Sequence, residues 1–253
     1  MKKCWANKIS PCSEKLSKEH LVSKGIFTSN IITITGQPWS EVGENVDIGI
    51  NSFTSKILCT KHNNEFSTLD KQGIEAFTIF KQFDKLHLNR SKMKPRRWNV
   101  INSKKIDGLL LERWLLKTTI NLSLFTSKPK PLGLGFNSTN NLPSELVEIV
   151  FGKRYFPDGM GLHVAFGDKQ KFDMNKDEVF FNSIEQNDRV AGAFFSLRNF
   201  RFFLSLTDIK DESFFEGLSG EWGKPLIKRR PSTVNVKIGP NMSHKIRFKW
   251  HIK

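Results

Sequence analysis

The 253 residues are enough for one large domain or two modest ones, and no apolar run reaches the ~18 residues of a membrane-spanning helix. The Lys-containing start lacks the apolar region of a signal peptide, and three cysteines fit a reducing compartment better than a disulfide framework, so a cytoplasmic protein without glycan at Asn137 is expected. A formal net charge of +15, with no amphipathic basic helix or lipidation signal, points to nucleic acid as the partner rather than a membrane.

Along the chain, the cysteines fall early, at Cys4, Cys12 and Cys59, and His62 follows Cys59 with Cys-x-x-His spacing. Two thiolates ahead and a thiolate with an imidazole behind make up the inventory of a tetrahedral structural zinc site. Residues three apart share a helix face, so a helix starting near Cys59 would present both donors to the earlier pair. Between the pairs, Lys18-Glu19-His20-Leu21-Val22 reads as a short strand that sends Glu19 and His20 to opposite faces.

The stretch 25–54 holds the β-rich Ile31–Thr35, a turn signal ending in Trp39, and the alternating Val46–Ile50, which together predict an inserted hairpin. Ser55 to Cys59 predicts the second strand of the early unit, and a helix is expected from about Thr60 to Leu86. Its buried stripe is Leu69, Gly73, Phe77 and Phe80; Ser67 to Asp70 cap or break it, and Glu65 and Asp70 read as solvated acids. A basic segment with Arg96 and Arg97 suits a phosphate-contacting strap or a plain linker over 89–105.

Ile106 to Leu122 is an apolar-periodic helix whose Glu112-Arg113-Trp114 belongs to a core element, and Leu142 to Phe151 is a short helix with Ser144 as its cap. From Gly161 onward the pattern becomes strands separated by turns, predicting one mainly antiparallel sheet backed by the earlier helices. The last strand alternates Lys245, Arg247 and Lys249 against Ile246, Phe248 and Trp250. Its basic face, with Lys228, Arg229 and Arg230, is a candidate nucleic-acid track; lysines shielding an edge strand would give the same pattern.

The early cysteines, Ser17-Lys18-Glu19-His20-Leu21-Val22-Ser23-Lys24 and Ile57-Leu58-Cys59-Thr60-Lys61-His62-Asn63-Asn64-Glu65-Phe66 together resemble the zinc-supported HNH endonuclease family, over roughly the first 85 residues. The resemblance implies a ββα-metal core in which His20 is the general base. It makes Glu19 the metal-binding acid beside it, and Asn63, with Asn64 as neighbouring alternative, the second ligand of a catalytic Mg²⁺ or Mn²⁺. His62 stands where the family usually has a fourth cysteine, and Asn51 is nearest to the family's central asparagine. Imidazole titrates near neutral pH, as a base for water attack on a phosphodiester requires.

The expectation is therefore an α+β protein. It has an N-terminal HNH-like unit (1–88) with an inserted hairpin, a basic linker (89–105), and a C-terminal domain (106–253) that positions substrate or binds a protein partner. The expected activity is metal-dependent cleavage of DNA, RNA being the lesser candidate substrate, in a setting such as bacterial antiviral defence. The alternatives are a zinc module that binds nucleic acid without cutting it, and a nuclease subunit idle until a partner recruits it.

Overall fold

A computed structural model describes residues 4–35, 44–90, 99–125, 142–166, 178–186, 189–197, 200–208, 226–239 and 242–251. Trp39, Arg96, Arg97 and the loop at 128–135 lie outside them.

The chain opens with a turn-rich segment, in which the Asn7 amide bonds the Cys4 carbonyl and the Trp5 amide bonds the Ile57 carbonyl. Strand β1 (Leu16–His20) follows and pairs antiparallel with β4 (Thr54–Cys59). The register slips between Ser17 and Glu19, a bulge that re-aims the end of β1. Helix α1 (Thr60–Glu65) starts directly from Cys59 and α2 (Ser67–Arg90) follows after a break at Phe66. The single long helix expected from Thr60 is thus two helices, broken just ahead of Ser67, because Phe66 turns into the core and stacks on Trp5 with ring centroids 5.5 Å apart.

The inserted hairpin forms, as β2 (Ile31–Thr35) and β3 (Asn45–Gly49), but it does not stay with the early unit. Ile32 and Ile34 are buried, and β2 lies parallel against β7 (Glu178–Gln186). The hairpin thereby becomes one end of a seven-stranded sheet ordered β10-β6-β9-β8-β7-β2-β3, completed by β6 (Gly161–Phe166), β8 (Arg189–Leu197), β9 (Phe200–Ser205) and β10 (Leu226–Arg229). Apart from β2 with β7, its neighbours are antiparallel.

The expected single C-terminal sheet is two sheets. The second is three-stranded, β11 (Thr233–Gly239), β12 (Met242–Lys249) and β5 (Asn99–Asp107), with β12 in the middle and parallel to β5. The final strand is therefore not an edge, and the expected linker becomes sheet from Asn99 on.

Helix α3 (Gly108–Phe125) begins where β5 ends, and the Asp107 carboxylate accepts a hydrogen bond from the Leu110 amide at 3.0 Å, as an N-terminal cap does. The short α4 (Ser144–Val150) is entered through Pro143, and Ser144 is its first residue rather than its cap. Helix α2 crosses α3 closely because Gly73 has no side chain: a Cβ there would lie 2.6 Å from the Trp114 ring. Phe80 of α2 stacks on Phe200 of β9 at 4.2 Å, so α2 also covers the large sheet. One continuous hydrophobic cluster runs from Cys4 to Phe248 and includes Phe53, Phe77, Trp114, Phe195 and Phe202. The expected division near residues 89–105 is crossed by this core and by the shared sheet.

Two buried histidines are expected to make the fold acid-labile. Burial pushes His163 down to about 4, against the hydrogen bond its Nδ1–H donates to the Gly161 carbonyl, and burial pushes His244 down to about 4 as well. The unfolded chain takes up these protons near pH 6.5 and the folded chain does not. Stability that is complete above pH 6.5 is thus lost progressively as pH falls toward 4, on the order of 3 kcal/mol per histidine. Denaturant titrations across this range are expected to show that loss, and His244→Leu to unfold with one proton fewer taken up.

Candidate functional site

The early segment, the end of β4 and the first turn of α1 bring four donors together. Cys4, Cys12, Cys59 and His62 offer ligand atoms that all lie within 4.8 Å of one another. The His62 Nδ1 stands 3.3, 3.7 and 3.2 Å from the sulfurs of Cys4, Cys12 and Cys59. A zinc ion with bonds of about 2.3 Å to sulfur and about 2.0 Å to nitrogen needs donor separations of about 3.5 Å, so the set fits. Cys4, the widest-spaced of the four in sequence, closes the cluster because the turn at Cys4–Asn7 folds it back beside β4.

With a metal on Nδ1, His62 Nε2 carries the proton and donates to Ser10 Oγ at 2.8 Å, which fixes the ring. Cys59 caps α1, accepting from the His62 amide. Burial raises its thiol, but hydrogen bonds from the His62 and Ser13 amides and the Ser13 hydroxyl outweigh this and bring it to about 6. Burial takes the Cys4 thiol up to about 12. The surroundings thus favour the thiolate at Cys59 and the thiol at Cys4, and metal binding would be coupled to release of the Cys4 proton.

Glu19 and His20 leave β1 in opposite directions, as a strand requires. His20 is half-buried, and its Nε2 is sealed from water with no hydrogen-bond partner among the described residues. Burial lowers its pKa, with Lys24 and Lys117 pushing the same way and Asp70 opposing them. The lowered pKa favours its neutral form, and Nε2 is uncommitted among the described residues.

Glu19 points inward and is 5% exposed. Its carboxylate meets Lys117 Nζ of α3 at 2.6 Å, and the same ammonium lies 2.7 and 2.8 Å from the two carboxylate oxygens of Asp70. Burial raises the pKa of Glu19, Lys117 draws it down and Asp70 works against Lys117. Asp70 also accepts from Ser23 Oγ at 2.6 Å, and Ser23 Oγ accepts from the Trp114 indole at 2.8 Å. Asp70 is thus part of a buried network and not the solvated acid its sequence context suggests.

These residues do not present a ready pocket for a divalent ion. Among the described residues, no group of three or more His, Cys, Asp or Glu comes together other than the Cys3His cluster. The charge that Mg²⁺ or Mn²⁺ would neutralise on Glu19 is already met by Lys117. Asn63 sits half-exposed on α1, Asn64 is exposed, and Asn51 accepts from Lys24 Nζ at 2.9 Å.

The candidate nucleic-acid residues divide into two sets. Arg229 donates to the carbonyls of Met160 and Pro157, and Arg230 is bidentate on buried Glu112, at 2.9 Å on each oxygen, with its guanidinium over Trp250. Arg230 takes a left-handed backbone (φ 39°) to reach Glu112. Both arginines hold the structure together. Lys245, Arg247 and Lys249 share the outer face of β12, opposite buried Ile246 and Phe248, and exposed Lys105 of β5 stands beside Arg247 in register. Lys228 is exposed on β10.

Lys117 and Asp70 are the residues that sequence reasoning missed. The one available signal was a lysine among apolar residues on α3, where a cation is buried only with a partner. Comparison with protein-family models, with curated proteins and with solved structures finds no match.

Proposed function

We propose that the chain is a zinc-stapled nuclease of HNH type acting on DNA, with His20 as general base. The observation that supports this best is His20 itself. Its pKa is lowered and its Nε2 is unpartnered among the described residues, and it stands at the end of the first strand of a β-β-α unit whose helix start carries two of the Cys3His donors. An imidazole with a lowered pKa has the protonation state that a general base needs, and its Nε2, closed to solvent here, would have to be opened by substrate to reach the attacking water. A bulge precedes His20 in β1, and Leu21 and Val22, which follow it, are buried. A zinc ion at Cys4, Cys12, Cys59 and His62 supplies structure only, since its four positions are filled by protein. The excess of +15 and the basic face of Lys105, Lys245, Arg247 and Lys249 suit the phosphate backbone.

The second reading, binding without cutting, is favoured by one feature: Glu19 is closed off by Lys117. A single experiment separates the two. Supercoiled plasmid is incubated with the zinc-loaded protein, with and without Mg²⁺ or Mn²⁺, beside His20→Ala of verified zinc content. Cleavage that drops by about 10²- to 10⁴-fold in the variant is expected. Plasmid retained on the protein but uncut by both forms would replace the nuclease with the binding module.

A further inference from the structure

The resemblance asks for a divalent ion at Glu19, and the fold puts a lysine there. Lys117 is 3% exposed at its side chain and bridges Glu19 to Asp70, two carboxylates carried by separate elements, β1 and α2. Its stem runs from α3, and Phe66 presents its ring face 5.3 Å from the ammonium. The ammonium thus sits between two carboxylates and an aromatic face, almost wholly out of solvent.

We propose that Lys117 is the resident cation of this carboxylate pair and shuts Mg²⁺ and Mn²⁺ out of it. The ammonium 2.6 Å from Glu19 Oε1 already meets the charge a divalent ion would neutralise, and the lysine is tethered, so it competes at high effective concentration. Glu19 and Asp70 with Lys117 absent would be two hard oxygen donors facing one gap, the donor type that Mg²⁺ and Mn²⁺ prefer. The inference rests on Glu19 as the family's acid in the nuclease reading, but it concerns ion binding alone. It stands or falls without any nucleic acid present.

The test is Mn²⁺ binding to the zinc-loaded full chain, followed by electron paramagnetic resonance and by melting temperature. Wild type is expected to bind no Mn²⁺ saturably and to melt unchanged by it. Lys117→Met keeps the stem and removes the charge. It should gain a Mn²⁺ signal and a Mn²⁺-dependent rise in melting temperature, both lost in Lys117→Met combined with Glu19→Gln. Saturable Mn²⁺ binding by wild type that Glu19→Gln abolishes overturns the proposal, as does a folded Lys117→Met that binds none. If Lys117→Met is recovered only unfolded, Lys117→Arg serves instead: it should exclude Mn²⁺ as wild type does, and Mn²⁺ binding by it would count against resident-cation control. Absence of plasmid cleavage with all these outcomes as expected would remove the nuclease and leave the resident cation.

Discussion

Cys59→Ala is expected to abolish zinc binding and to unfold the N-terminal third of the chain. Cys59 does three things at once: it supplies a donor to the cluster, caps α1 through the His62 amide, and is fully buried beside Leu58. Structural zinc sites bind with about 10–16 kcal/mol of apparent free energy in small peptides, as much as a whole domain's net stability. The loss here is not confined to the cluster. Phe66 and Phe151 pack at 4.7 Å, and the His62 ring meets Phe151 edge-on at 5.8 Å, so the cluster is built into the same core that α4 closes. Chelation should reproduce the effect. Zinc content falling from one per chain to none, together with loss of the cooperative melt, is the expected result; a Cys59→Ala protein that melts like wild type would mean that the four donors hold no metal that matters to the fold.

The four clustered donors were legible in the sequence because metal ligation demands particular atoms at particular spacings, and the Cys-x-x-His pair at a helix start satisfies that locally. The strand before His20, the strand ending at Cys59 and the buried stripe of Phe77 and Phe80 were legible for the same reason: each is a short-range pattern. What could not be read was long-range pairing. Nothing in Ile31–Thr35 says that it will lie beside Glu178–Gln186, or in Asn99–Asp107 that it will lie parallel to the last strand. The basic residues differ in a way the sequence does not show. Arg229 and Arg230 look like Lys228 in sequence, yet Glu112 and the carbonyls at 157 and 160 claim their guanidinium groups, and only the fold brings those acceptors within reach. Asp70 looked solvated because its partner, Lys117, is on another helix and itself looked like part of an apolar face.

That pairing leads to the second large effect. Lys117→Met, in the absence of a divalent ion, should destabilise the protein by about 3–5 kcal/mol, the usual result of removing one partner from a buried charge network. The penalty comes from what remains: Glu19 is 5% exposed and faces Asp70 without a cation between them. The sign of its pH dependence follows from Glu19. Burial already raises this carboxyl above its ordinary value, and removing Lys117 removes the main influence drawing it back. In the variant the folded state then holds a proton on Glu19 that the unfolded chain gives up near its ordinary value. Acidification toward that value should relieve the defect, and rising pH should deepen it. The acid lability from His163 and His244 runs the opposite way, so the informative quantity is the difference between variant and wild type at each pH. That difference is expected to shrink on going from pH 7 toward pH 5 in denaturant titrations. A difference that stays the same across this range would show that Lys117 stabilises the fold by packing alone, and one that grows on acidification would likewise rule out its role as the counter-charge of Glu19.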